Sequence, residues 1–199
     1  MRTRKRAPAV AAVLAAALGG AIPAAQADAT TSAHSTLGGA LASSRQAGPK
    51  VVTPQRTGVY IRIDSLYSVT PGQCLDADAN NGANGTKVQT WACNGSTQQE
   101  WISWDDGSVE NVRFPGMCLD ADTNGGGANG TKVQLWQCNG TTQQQWFVRS
   151  NDLAIYNVRY NFNYNTVLDR DTNVPGNGAK AQLWVKNFQS QQWWKIVAA

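Results

Sequence analysis

The chain has 199 residues, only 15% of them charged, with 8 Trp, 19 Gly, 4 Cys and a single His, and a formal net charge of +4 at pH 7. A basic balance would invite a nucleic-acid or membrane-surface partner. Four of the 17 basic residues, Arg2, Arg4, Lys5 and Arg6, sit together at the start, however, and the other 13 match the 13 acidic ones, so both partners are excluded. Residues 1–27 have the pattern of a secretory signal peptide: a basic start, an apolar stretch from Ala7 to about Ala21, and an Ala25-Gln26-Ala27 cleavage site. That stretch is broken by Pro8 and Pro23 and is short for a membrane span of about 20 residues. A secreted, extracellular protein is the expectation. Residues 28–57 are rich in Ala, Ser, Thr and Gly, with Pro49 and Pro54, and read as a flexible leader that contains the lone His34.

From Gly58 the pattern becomes all-β. Val59-Tyr60-Ile61-Arg62-Ile63 alternates in type, and Asn111-Val112-Arg113 and Asn157-Val158-Arg159 echo it. Short apolar strands are expected at Trp101-Ile102, Trp146-Phe147-Val148 and Trp194-Lys195-Ile196-Val197, with Asn-Gly, Gly-Gly and Pro-Gly turns between strands. No window of helical length carries an apolar stripe. The sequons at Asn84, Asn94, Asn129 and Asn139 fall at turns and are read first as turn chemistry.

One block recurs three times. Cys74-Leu75-Asp76 leads to Val88-Gln89-Thr90-Trp91-Ala92-Cys93 and then Gln98-Gln99-Glu100-Trp101. Cys118-Leu119-Asp120 leads to Val133-Gln134-Leu135-Trp136-Gln137-Cys138 and then Gln143-Gln144-Gln145-Trp146. Val167-Leu168-Asp169 leads to Ala181-Gln182-Leu183-Trp184-Val185-Lys186 and then Gln191-Gln192-Trp193-Trp194. The closing tryptophans are 45 and 48 residues apart, so three units fill residues 58–199 as one domain. Each unit has room for about four strands, and closing about twelve of them removes exposed edges. Four cysteines in a secreted chain imply disulfides. The repeat selects Cys74–Cys93 and Cys118–Cys138, each within its own copy. Val167 and Lys186 replace both partners together in the third copy.

These motifs closely resemble the ricin B-type lectin family, the three-fold β-trefoil carbohydrate-binding modules, over about residues 58–199. The resemblance implies an all-β trefoil that binds carbohydrate, as a monomer without cofactor or metal. It implies a first site of Asp76, Gln89, Trp91, Gln98 and Gln99, a second of Asp120, Gln134, Trp136, Gln143 and Gln144, and a third of Asp169, Gln182, Trp184, Gln191 and Gln192. In that family the Asp accepts hydrogen bonds from sugar hydroxyls and the Trp stacks on the ring. Gln98, Gln143 and Gln191 stand where the family often has Asn, and Gln reaches one methylene farther. A galactose- or xylose-type glycan is the expected partner.

The residue types suit the chemistry. A sugar ring has an apolar C–H face for an aromatic ring and a hydroxyl rim for carboxylate and amide groups. Trp101, Trp146 and Trp194 open apolar strands and are expected in the core. Gln99, Gln144 and Gln192 either touch sugar or brace the backbone, and Asp78, Asp122 and Asp171 are assigned to turns. Asp120, Asp122 and Asn124 copy the start of a calcium loop, but its twelfth position holds Thr131 where a bidentate Glu is needed. An enzyme is not expected, since the His lies in the leader, the cysteines pair, and no two carboxylates are set apart by environment. The competing function is a protein-binding trefoil, such as a secreted inhibitor, on the same scaffold.

Overall fold

The computed structural model describes residues 34–37 and 56–199. The signal-peptide expectation and most of the leader lie outside the described residues. The leader is not wholly without structure, however: strand β1 (His34–Thr36), which includes the lone histidine, pairs antiparallel with a strand of the second copy, and Leu37 after it is fully buried in the core. One apolar residue in a Ser/Thr-rich stretch gave no periodicity from which to read this.

Each copy contributes four strands. The first has β2 (Gly58–Ser65), β3 (Gln73–Ala77), β4 (Thr86–Ala92) and β5 (Glu100–Trp104). The second has β6 (Val109–Asn111), β7 (Met117–Ala121), β8 (Thr131–Gln137) and β9 (Trp146–Arg149). The third has β10 (Ile155–Asn157), β11 (Thr166–Arg170), β12 (Ala179–Val185) and β13 (Trp194–Ala198). In β2 the alternation holds: Ile61 and Ile63 are buried and Tyr60 is exposed. Its length lets it pair with β5 along one stretch and with β13 along another, which joins the first copy to the last. β6 and β10 are much shorter, and β1 occupies the edge of β9.

Three hairpins, β3–β4, β7–β8 and β11–β12, meet as a triangle. β4 pairs with β8 through Thr86 and Leu135, β8 with β12 through Thr131 and Leu183, and β12 with β4 through Ala179 and Thr90. An Asn-Gly turn clasps each corner. Asn84 Oδ1 accepts from Gln137 N at 2.6 Å, Asn129 Oδ1 from Val185 N at 2.7 Å, and Asn177 Oδ1 from Ala92 N at 2.7 Å. Each copy therefore holds the next one around the ring. Asn94 and Asn139 accept from the backbone N–H two residues on, the turn role expected of them.

The core runs through all three copies. Leu75, Leu119 and Leu168 are fully buried, as are the closing Trp101 and Trp146, while Trp194 is 2% exposed. Each closing indole donates to the carbonyl of the Leu beside the repeated Asp: Trp101 to Leu75 at 3.2 Å, Trp146 to Leu119 at 2.9 Å, Trp194 to Leu168 at 3.0 Å. A buried indole N–H needs such a partner, and here the partner fixes the strand that carries the Asp.

Both expected disulfides are formed, Cys74–Cys93 and Cys118–Cys138. In the third copy Lys186 Nζ instead lies 2.6 Å from Asp152 Oδ2 and donates to Tyr156 Oη at 2.9 Å, and Tyr156 Oη donates to Asp152 Oδ2 at 2.7 Å. The strands expected to run through Asn111-Val112-Arg113 and Asn157-Val158-Arg159 stop at the Asn. Asn111 Oδ1 accepts from Arg113 N and Asn157 Oδ1 from Arg159 N, which turns the chain. After Asn157 comes a helix that sequence periodicity did not show, α1 (Val158–Tyr164), ending at Asn165 with φ 47°. At seven residues it is too short to display a stripe.

Candidate functional site

The hairpin register builds the site. Asp76 on β3 faces Gln89 on β4, Asp120 on β7 faces Gln134 on β8, and Asp169 on β11 faces Gln182 on β12. Side chains two apart on a strand share a face, so Trp91, Trp136 and Trp184 stand beside the Gln of their own copy. Trp91 and Trp136 are each 39% exposed and Trp184 is half-buried. These are the platform positions expected from the sequence.

Each Asp is gripped by two amides. Gln89 Nε2 donates to Asp76 Oδ1 at 3.2 Å, and Gln99 Nε2 to Asp76 Oδ2 at 3.0 Å. The second copy repeats this with Gln134 at 3.3 Å and Gln144 at 3.1 Å, the third with Gln182 at 2.9 Å and Gln192 at 3.0 Å. Gln99, Gln144 and Gln192 make the bracing contacts expected of one of their two readings. They are 0%, 0% and 1% exposed, their Nε2 groups also donate to the carbonyls of Ala92, Gln137 and Val185, and their Oε1 atoms accept from the N–H of Asn94, Asn139 and Asn187. Such buried amides hold the Asp, the preceding strand and the following turn together. Their place on the short turn between strands is fixed by a 3-10 segment in each copy.

Gln98 and Gln191 are half-buried, and Gln143 is 9% exposed. The Oε1 atom of Gln143 is buried without a partner. It lies in a cleft of about 140 Å³ with Asp120, Asp122, Thr123, Asn124, Gln134 and Trp136. An acceptor left unpaired in such a place costs about 1–3 kcal/mol until a donor arrives. The third copy forms a cleft of about 220 Å³ with Asp169, Asp171, Asn173, Gln182, Trp184 and Gln191 among its walls. Asp78, Asp122 and Asp171 take turn roles, each accepting from the N–H two residues on, and Asp122 and Asp171 also form the rims of these clefts. Sequence reasoning missed these rim residues and Asn187 as site walls; their recurrence at matching places in each copy was the signal that could have found them.

Burial pushes the carboxyls of Asp76, Asp120 and Asp169 up, and the Gln hydrogen bonds hold them back only in part. The effect is largest at Asp169, which reaches about 6. The arrangement offers a carboxyl held by two amides beside a flat aromatic face, three times over. Among the described residues the one group of carboxylate and sulfur atoms close enough to hold a metal is Asp64 with Cys74 and Cys93, whose sulfurs form a disulfide. A larger cleft of about 280 Å³ lies by β1 and α1, lined by Thr36, Asp106, Trp146 and Phe162 among others, and is mainly apolar.

A family model described as the ricin-type β-trefoil lectin domain matches residues 63–194. Among solved structures, the chain is similar to an agglutinin from Abrus precatorius at 20% identity and a TM-score of 0.58, covering 74% of this chain and 51% of that one. It thus spans about half the agglutinin's length. A designed three-fold symmetric protein, ThreeFoil, matches at 22% identity and a TM-score of 0.59, over 70% of this chain and 99% of that one. The β-trefoil lectin of the Vibrio vulnificus hemolysin/cytolysin, solved with N-acetyl-D-lactosamine bound, matches at 23% identity and a TM-score of 0.55, over 71% and 96%. At these identities the likenesses speak for the β-trefoil fold.

Proposed function

This chain belongs to the ricin-type β-trefoil lectin family, and we propose that it binds neutral glycans or polysaccharides through the three Asp–Gln–Trp sites. The observation that carries the reading is the repeated constellation itself: a carboxylate locked by two amides next to a half-exposed indole, in every copy. A scaffold alone has no need to leave three tryptophans partly open to solvent beside three buried carboxylates. The Asp accepts from adjacent ring hydroxyls in charge-assisted bonds, and the indole covers the ring's C–H face. At the second site the free Oε1 of Gln143 accepts a further hydroxyl. Galactose- or xylose-type residues fit this chemistry, and the N-acetyl-D-lactosamine held by the Vibrio structure supports the galactose side. Each shallow site has an affinity near millimolar, about −4 kcal/mol, and three sites on one body gain avidity on a repeating polymer. The signal-peptide pattern of residues 1–27 and the two disulfides support secretion.

The test is binding to a glycan array and to insoluble xylan, cellulose and chitin, with a Trp91→Ala/Trp136→Ala/Trp184→Ala chain alongside. Binding by the parent chain that vanishes in the folded triple variant is expected. A folded parent chain that binds no carbohydrate overturns the proposal.

A further inference from the structure

The three copies differ in one buried place, and the differences fit together. Where the first two copies have Ala77 and Ala121, the third has Arg170; where they have Thr86 and Thr131, it has Ala179. The first copy in turn has Thr90 where the others have Leu135 and Leu183, and Gln73 where they have Met117 and Thr166. Ala179 pairs directly with Thr90 across the β12–β4 corner. Arg170 is fully buried there. Its Nε donates to Thr90 Oγ1 at 3.1 Å and to Gln73 Oε1 at 3.4 Å, its Nη1 to the Asp171 carbonyl at 3.0 Å, and its Nη2 to the carbonyls of Val174 at 3.0 Å and Gly176 at 2.9 Å. Its guanidinium carbon sits 4.7 Å from the centre of the Tyr67 ring.

In the first two copies a threonine does the corresponding work. Thr86 Oγ1 donates to the carbonyls of Asn81 at 2.6 Å and Ala83 at 2.7 Å, and Thr131 Oγ1 to that of Gly125 at 2.9 Å. Ala179 has no hydroxyl, so in the third copy the loop carbonyls are gathered by the guanidinium instead. That loop serves two sites. At one end Asp171, Thr172 and Asn173 form the rim of the third site. At the other end Gly178 donates its N–H to Thr90 O and accepts from Lys87 Nζ at 2.6 Å. A Cβ on Gly178 would lie 3.9 Å from each of Gln89 Oε1, Lys87 Nζ and Trp91 Cζ3, so this glycine packs beside the Gln and Trp of the first site. Asn177, between them, is tied to Ala92 N and to Gln73 Nε2.

We propose that Arg170 is a positioning residue for two sugar sites at once, the third within its own copy and the first in the neighbouring one, through the loop 171–178 that it holds. This rests on the sugar-binding reading of the sites. The second site is the internal control. The glycine beside it is Gly85, whose Cβ position lies 3.9 Å from Gln134 Oε1, in a loop braced by Thr86.

The test follows the indole N–H signals of Trp91, Trp136 and Trp184 by NMR while lactose, and separately xylotriose, is titrated into the chain. Arg170→Ala takes one donor from each of five oxygens, Gln73 Oε1 keeping Thr70 Oγ1, and is expected to weaken the Trp91 and Trp184 sites about tenfold, with the Trp136 site unmoved. Adding Ala179→Thr to Arg170→Ala supplies the hydroxyl used by the other copies and is expected to restore most of the loss. Asn177→Ala, an exposed change, is expected to weaken the Trp91 site alone. An equal loss at all three sites, a loss confined to Trp184, or no recovery with Ala179→Thr overturns the proposal. If neither sugar moves any of the three signals in the parent chain, the sugar-binding reading itself fails, and this proposal with it.

Discussion

Acid should weaken the third site first, and Asp169 sets the scale. Its carboxyl is held at about 6 because burial disfavours the charge more than Gln182 and Gln192 restore it. Only the ionised form presents acceptors alone to sugar hydroxyls. At pH 7 about nine-tenths of the group is ionised, and at pH 5 about one-tenth, so the affinity of the Trp184 site falls about tenfold over that range. Stability moves the other way. A carboxyl raised by folding contributes stability when protonated; that contribution is complete below 3.8 and is lost as pH rises through about 6. The difference is on the order of 3 kcal/mol. The unliganded domain therefore gains from Asp169 on acidification from pH 7 to 5 while the site loses its sugar. Indole NMR titrations with lactose or xylotriose at pH 7, 6 and 5, with thermal midpoints of the free protein at each pH, measure both trends. A Trp184 affinity that stays flat between pH 7 and 5 would refute the reasoning. Asp76 and Asp120 are also raised, so their sites lose affinity on acidification in the same sense.

Trp136→Ala should abolish the second site with little effect on stability, because the side chain is 39% exposed, whereas Trp146→Ala removes a fully buried side chain and should cost about 3–5 kcal/mol; denaturant melts beside sugar titrations separate the two. Gln144→Ala is expected to weaken the second site without touching sugar, and to destabilise the domain by about 1–3 kcal/mol, since it strips the Asn139 N–H and Asp120 of buried partners; unchanged affinity and unchanged urea midpoint would contradict its positioning role. Leu37→Ala should cost about 2–5 kcal/mol despite lying in the leader, because the side chain is fully buried in the shared core, and urea unfolding measures this directly.

What the sequence disclosed, it disclosed through repetition. Leu-Asp, Gln-x-Trp and the closing Trp recur at nearly fixed spacing, so a closed three-fold all-β fold and the disulfides were legible from one chain, while the platform role of the tryptophans came from the family resemblance. Contacts between copies were not. The Asn-Gly pairs read as turns, but nothing local says that Asn84 caps a strand of the second copy or Asn177 one of the first. Nothing local announces the role of Arg170; its partners Gln73 and Thr90 lie 97 and 80 residues away. Gln99 was ambiguous because contact with sugar and bracing of the backbone need the same amide, and its burial and its bonds to Ala92 and Asn94 come from the fold. Strand β1 and helix α1 escaped because three and seven residues are too few for a period to show.

The exchange of a disulfide for the Lys186–Asp152–Tyr156 cluster gives the molecule an unequal response to its redox surroundings. In the first two copies a covalent bond ties the residue two before the Asp to the residue two after the platform Trp. A reductant cuts both ties and leaves the hairpins of Trp91 and Trp136 to noncovalent contacts alone. The third hairpin is closed by an ion pair and two hydroxyl contacts that thiols do not attack. Passing from an oxidising to a reducing compartment is thus expected to loosen the hairpins of Trp91 and Trp136 and to spare that of Trp184.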